Sequence, residues 1–199
     1  MFVRMIKAAT TEQLNGVRER AVAAGLAVYQ EQGATGITLA VLGPAGVSAE
    51  LEREFAALPG VASATRATRP YRLASREFRD EPTRVNVRDA VIGGGSLTLM
   101  AGPCSIESRD QLFEVAQGVA DAGATLLRGG AFKPRTSPYA FQGLGLDGLR
   151  LLAEARERTG LPIITEVMEP AQVDLVAEFA DVLQIGTRNM QNFSLLNAV

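Results

Sequence analysis

Along the chain, apolar and polar positions change rhythm twice, and each rhythm predicts a different architecture. In the first part, Phe2 to Lys7 reads as a strand, and Thr10-Thr11-Glu12-Gln13 reads as a helix start. Leu14, Val17, Ala21 and Ala24 follow at helical spacing, with Gly25 as the stop. Leu26–Gln30 and Ile37–Leu42 are expected strands; Ser48 caps a second helix that runs to Leu58, Pro59-Gly60 ends it, and Val61–Thr68 is a fourth strand. The order βαββαβ predicts a ferredoxin-like sandwich, with two helices on one antiparallel sheet.

Residues 69–90 carry dense mixed charge and two prolines with little periodicity, which predicts a linker. A short strand pair is expected at Arg84–Val87 and Asp89–Ile92, before the turn Gly93-Gly94-Gly95. From Ser96 the pattern becomes alternating strand and helix. The expected strands are Leu97–Ala101, Thr125–Arg128, Leu161–Glu166 and Val182–Gly186, and the expected helices include Ser108–Ala122 and Asp147–Thr159. These strands are continuous apolar runs, as in a parallel sheet covered by helices on both faces. Four βα units are visible, and the chain shows no Gly-rich dinucleotide fingerprint, so the expectation is the first half of a (β/α)8 barrel, which needs eight units and about 250 residues. The domain division expected is 1–73 for the ferredoxin-like domain, 74–95 for linker and strand pair, and 96–199 for an incomplete barrel.

The candidate chemistry centres on residues 125–137, where an apolar strand passes into a loop carrying Arg128, Lys133 and Arg135 with the hydroxyls of Thr136 and Ser137 and no acidic residue. Guanidinium groups grip phosphate or carboxylate through paired hydrogen bonds, and lysine adds a compact charge. The ligand class is a small, strongly anionic molecule. A solvated basic loop is the competing reading, and position decides against it: the loop directly follows a strand, where α/β folds keep their sites. Each of the four strands is followed by such a group: Cys104, then Arg128 and Lys133, then Glu166, then Arg188.

Composition narrows the field. The net charge is −2, so the chain as a whole has no pull toward nucleic acid or membrane surfaces and any anion site is local. Histidine is absent, which excludes His-based triads and His-ligated metals within these residues. The single cysteine, Cys104, excludes an intrachain disulfide and fits a reducing, cytoplasmic setting. Standing in a Gly102-Pro103-Cys104-Ser105 loop, it is placed to give a thiolate to a divalent ion, although one thiolate is not a metal site.

Four stretches carry a resemblance: Ala101-Gly102-Pro103-Cys104-Ser105; Leu127 to Ser137 (Leu-Arg-Gly-Gly-Ala-Phe-Lys-Pro-Arg-Thr-Ser); Phe141-Gln142-Gly143-Leu144-Gly145; and Gln184 to Phe193 (Gln-Ile-Gly-Thr-Arg-Asn-Met-Gln-Asn-Phe). In this order and spacing they closely resemble 3-deoxy-D-arabino-heptulosonate 7-phosphate (DAHP) synthase, in the branch with an N-terminal regulatory domain. The resemblance implies a metal-dependent, aldol-like condensation of phosphoenolpyruvate with erythrose 4-phosphate, the entry to aromatic amino-acid biosynthesis. It implies a divalent metal that activates the aldehyde, with Cys104 as one ligand. It places phosphoenolpyruvate on Arg128, Lys133 and Arg188, with Lys133 assisting proton movement, and the phosphate of erythrose 4-phosphate on Arg135, Thr136 and Ser137. Glu166 would orient the attacking water. A homo-oligomer and an aromatic amino-acid effector are implied for the complete protein.

The sibling enzyme, 3-deoxy-D-manno-octulosonate 8-phosphate synthase, carries Lys-Ala-Asn-Arg where this chain has Lys133-Pro134-Arg135, and is the alternative within the superfamily. A regulatory or assembly fragment that binds tyrosine or phenylalanine is the alternative from another class; a basic-loop module for polyanions is a third, disfavoured by the acidic balance. The family's remaining metal ligands (a His, a Glu and an Asp) and further cations come from later strands. The expectation is therefore that the chain is truncated about halfway through the barrel and is inactive by itself.

Overall fold

The computed structural model describes residues 1–44, 46–79 and 81–199. They form two compact units, Met1–Thr83 and Arg84–Val199.

In the first unit β1 (Phe2–Met5), α1 (Thr11–Ala23), β2 (Ala27–Gly33), β3 (Gly36–Leu42), α2 (Ala49–Ala56) and β4 (Val61–Thr65) follow one another. The sheet is antiparallel in the order β2-β3-β1-β4, the ferredoxin-like arrangement expected from the pattern. Both helices start at side-chain caps. Thr10 and Gln13 form a reciprocal capping box at α1, and the Ser48 hydroxyl accepts from the Leu51 amide at α2. Alternation along β1 then sorts the core. Val3 and Met5 pack with Val17 and Ala21 of α1 and Phe55 of α2, whereas Phe2 points to the opposite face with Ala40.

That second face is covered from an unexpected place. Phe78, in the stretch read as a linker, is buried and stacks on Phe2 with ring centroids 5.8 Å apart. A 3-10 turn at Arg72–Ala74 and the Arg79–Glu31 ion pair hold this segment to its unit. Asp80, in the same stretch, lies outside the described residues.

The second unit opens with a hairpin, β5 (Arg84–Val87) and β6 (Ala90–Gly93). Then come β7 (Met100–Ala101), α3 (Arg109–Asp121), β8 (Leu126–Arg128), α4 (Leu146–Thr159), β9 (Ile163–Val167), α5 (Val173–Phe179), β10 (Val182–Ile185) and α6 (Phe193–Ala198). The four strands are parallel and neighbour one another in sequence order, β7-β8-β9-β10, without the reversal that marks a doubly wound sheet. One face, through Leu127, Ile163 and Val167, packs on Leu112 and Ala116 of α3, Leu149 and Leu152 of α4 and Val176 of α5. The other, through Leu126 and Ile164, packs on Val87 of the hairpin with Ala90, Ile92 and Val182. Both faces of β9 are therefore buried, which is why its sequence does not alternate. The first strand is shorter than expected. Ladder pairing with β8 is at Met100 and Ala101, the Leu99 carbonyl accepts from the Thr125 and Leu126 amides (2.7 and 3.2 Å), and Leu97, before them, is 94% exposed.

Asp181, just before β10, ties the base of the sheet together. Its carboxylate accepts from the Ile163 amide (2.7 Å), from Arg156 Nη1 (3.1 Å) and from Arg88, which occupies the hairpin turn at φ 50°. Burial pushes this carboxyl up, but the bonds from Arg88, the Ile163 amide and Arg156 outweigh it and hold the pKa below the ordinary aspartate value. A depressed folded-state pKa contributes stability that is present above the unfolded value, about 3.9, and is lost as pH falls through the folded one. Asp181→Ala is expected to destabilise the second unit by about 3 kcal/mol at pH 7, because it strands Arg156 and the Ile163 amide. In urea titrations at pH 7 and pH 3, the gap between wild type and variant should shrink at the lower pH.

Candidate anion-binding site

The C-terminal ends of β7 to β10 open onto a cleft of about 500 Å³ lined by Cys104, Lys133, Pro134, Arg135, Glu166, Gln184, Gly186, Thr187 and Arg188. Two glycines let the strands end this close together. At Gly102 (φ 150°) a Cβ would stand 2.0 Å from the Arg128 carbonyl oxygen. At Gly186 a Cβ would stand 2.0 Å from Glu166 Oε1, so the bare Cα provides the seat on which the Glu166 side chain lies.

Arg128 ends β8. Its guanidinium donates to Pro103 O (3.2 Å) and Cys104 O (2.8 Å) through Nη1 and to Gln184 Oε1 (3.2 Å) through Nε. Lys133 is only 6% exposed, and its ammonium donates to Cys104 O (2.7 Å) and Cys104 Sγ (3.2 Å). Arg188 follows β10 and donates to Pro134 O (3.1 Å); Arg135 donates to Phe141 O (3.2 Å). These partners are carbonyls, an amide and a thiol, so the cationic charge is oriented by uncharged groups. Among the described residues lining the cleft, the carboxylate is Glu166, itself 5% exposed. Such an arrangement keeps several cations available to an anion in a partly desolvated place, where their pull is greater than in water.

The loop from Lys133 to Gln142 is closed on itself. The Lys133 amide donates to Gln142 O (2.9 Å), and the Gln142 side-chain amide donates to Ser137 O (3.2 Å) and Ala140 O (2.9 Å). This brings Lys133 and Arg135 into the cleft, while Thr136 and Ser137 lie exposed on the outer part of the loop, away from the lining. The Ser137 hydroxyl accepts from the Tyr139 amide (3.3 Å). Two polar residues to which the sequence reading gives no role, Thr165 and the motif residue Gln184, also belong here. Buried Thr165 donates to Gly129 O (2.6 Å) and fixes the start of the loop, and Gln184 lines the cleft. Each is a polar interruption in an apolar strand, and that interruption is the sequence signal that would have found it.

Cys104 is exposed. The hydrogen bond and charge of Lys133, with a smaller contribution from Arg128, hold its thiol below the ordinary range despite slight burial. It offers one sulfur donor. Among the described residues no cluster of three or more His, Cys, Asp or Glu could hold a metal ion, so the residues present do not make a metal centre. Among the same residues no helix is long and apolar enough to cross a membrane.

Gly186→Ala is expected to push the Glu166 carboxylate off its seat, since the contact is too short to absorb without movement. The cost should be about 1 kcal/mol, the low end of the overpacking range, because the obstructing atoms are the far end of a flexible side chain that can swing aside. A thermal melt with a crystal structure of the variant checks both the loss and the displaced side chain.

The sequence pattern of the DAHP synthetase I family matches residues 74–199. The chain is 49% identical over 144 residues to the phospho-2-dehydro-3-deoxyheptonate aldolase of Thermotoga maritima, an alignment covering 72% of this chain and 43% of that protein. It is 37% identical over 112 residues to the 2-dehydro-3-deoxyphosphooctonate aldolase of Syntrophotalea carbinolica, covering 52% of this chain and 40% of that one. The crystal structure of the Thermotoga maritima phospho-2-dehydro-3-deoxyheptonate aldolase superposes with a TM-score of 0.63 at 39% identity, over 99% of this chain and 57% of the other. The chain thus spans about half the length of the relatives it matches. With the family pattern matched across residues 74–199, the chain belongs to the DAHP synthetase I family.

Proposed function

We propose that the protein condenses phosphoenolpyruvate with D-erythrose 4-phosphate to give DAHP and inorganic phosphate, the first step toward aromatic amino acids. The observation that carries this reading is the convergence of Arg128, Lys133, Arg135 and Arg188 on the ends of the parallel strands, with uncharged hydrogen-bond partners. Two phosphorylated substrates repel each other, and several fixed cations offset that repulsion. In this reading Arg128, Lys133 and Arg188 hold phosphoenolpyruvate and Arg135 holds the sugar phosphate at the cleft mouth, with Thr136 and Ser137, outside the lining, meeting it from the outer part of the loop. C3 of phosphoenolpyruvate bonds to the aldehyde carbon, water adds at C2, and phosphate leaves. Lys133 is the group that moves a proton, and Glu166 orients the water. Cys104 would be one ligand of the divalent ion that the family implies, which when bound would polarise the aldehyde.

The eight-carbon alternative is the weaker reading. By sequence the octulosonate relative is 37% identical over 52% of this chain, while the heptonate aldolase is 49% identical over 72% of it. For the ferredoxin-like unit the proposal is a regulatory and assembly role, with an aromatic amino acid as effector and a homo-oligomer as the assembled form. The activity is tested in a hybrid in which residues 1–199 replace the corresponding part of the Thermotoga maritima protein. The hybrid should consume both substrates and release one phosphate per condensation, whereas the 199-residue chain alone should release none. A folded hybrid without turnover of erythrose 4-phosphate contradicts the assignment, and turnover by the chain alone contradicts only its expected inactivity.

A further inference from the structure

Arg128 has five N–H donors, and among the described residues three of them meet oxygen acceptors. Nε bonds to Gln184 Oε1, and Nη1 bonds to the carbonyls of Pro103 and Cys104. Nε and Nη1 are thus held on oxygen, with the Cys104 sulfur close by, so these three acceptors set the direction in which Nη2 can meet an anion. Two are backbone carbonyls of the loop after β7. The third is a side chain, supplied from β10, two strands away from β8 in the sheet. In parallel barrels alternate strands contribute side chains to the same interior layer, which is how a residue of β10 can reach one of β8 across β9. Gln184 is otherwise out of place, an amide in the apolar strand Val-Leu-Gln-Ile, where a polar side chain is costly unless bonded.

We propose that Gln184 is a positioning residue that aims Arg128, and that its neutrality is required for anion binding. The inference rests on the anion-binding reading of this cleft and goes beyond it by naming a residue that acts through Arg128. A carboxylate at the same place would hold the guanidinium at least as firmly, but it would cancel the charge that the ligand needs. It would also stand beside Glu166, which is opposite Gln184 in the β9–β10 register. A merely structural role predicts the reverse order, with a carboxylate as the better partner for an arginine.

The test is nuclear magnetic resonance of the arginine Nε–Hε signals of the 199-residue chain, titrated with phosphoenolpyruvate. The Arg128 signal is assigned by its loss in Arg128→Lys, and folding is monitored by thermal melts. Wild type should show one saturable shift at Arg128. Gln184→Met, which keeps the volume and removes the acceptor, should bind about tenfold more weakly. Gln184→Glu should melt no earlier than Gln184→Met yet bind roughly a hundredfold more weakly than wild type. If wild type binds and Arg128→Lys does not, but both Gln184 variants bind like wild type, the proposal is overturned and the anion site stands. The proposal is also overturned if Gln184→Glu binds better than Gln184→Met. If wild type shows no saturable shift, the anion-binding reading itself fails, and the proposal with it.

Discussion

Replacing Lys133 by Met is expected to weaken phosphoenolpyruvate binding roughly a hundredfold while leaving the fold intact, the range for losing a charged hydrogen-bond donor in a confined site. The side chain is almost fully buried, so Met fills its volume and removes the cost of keeping an ammonium away from water. The same substitution should change Cys104. In the wild type the ammonium sits 3.2 Å from the sulfur and holds the thiol below its ordinary range. Without it the thiol should titrate closer to the free value of about 8.5, with only the weaker pull of Arg128 remaining. Alkylation by iodoacetamide at pH 7 should therefore be slower in Lys133→Met than in wild type, with the two rates converging above pH 10, where both thiols are ionised. Equal rates at pH 7 would mean that the ammonium does not control the sulfur.

Gly102→Ala should have the largest effect on stability. The new Cβ would meet the Arg128 carbonyl oxygen at 2.0 Å and its carbonyl carbon at 3.0 Å, and the residue would be held at φ 150°, where side chains are disfavoured. Because the obstructing atoms are backbone, no rotamer change relieves the clash. The substitution has to separate β7 from β8, whose short ladder is Met100–Leu126 and Ala101–Leu127, extended by the Thr125 and Leu126 amides donating to the Leu99 carbonyl. A loss of about 4 kcal/mol or more is expected from urea titration followed by circular dichroism, at the severe end for single substitutions. A loss below about 1 kcal/mol would show that the strand ends can part without consequence. Arg128 should then no longer bond to the Cys104 carbonyl, so anion binding should fall together with stability.

The sequence made some of these features readable and hid others for physical reasons. Arg128, Lys133, Glu166 and Arg188 were legible because each follows an apolar strand, and parallel topology brings strand C-termini to one side. The ferredoxin-like order was legible from caps at Thr10 and Ser48 and from the two strand periods around them. Phe78 was not, because a charged, aperiodic stretch gives no sign that one of its aromatics will stack on Phe2; that depends on the other face of the sheet being open. Leu97 to Leu99 looked like strand by composition, yet hydrogen-bond partners and cover are tertiary properties, and Leu97 has little of either. Gln184 stayed hidden inside a motif whose charged members drew attention. Its role depends on a contact across 56 residues of sequence that no local pattern encodes. Asp181 is similar, since its three donors come from the hairpin, α4 and the start of β9.

The most direct measurement is a crystal structure of the chain soaked with phosphoenolpyruvate. The account predicts the ligand in the cleft at the ends of β7 to β10, with its anionic groups on Lys133, Arg188 and the Nη2 edge of Arg128. A ligand bound elsewhere, or a cleft left empty at ligand concentrations that saturate the protein in solution, would contradict it.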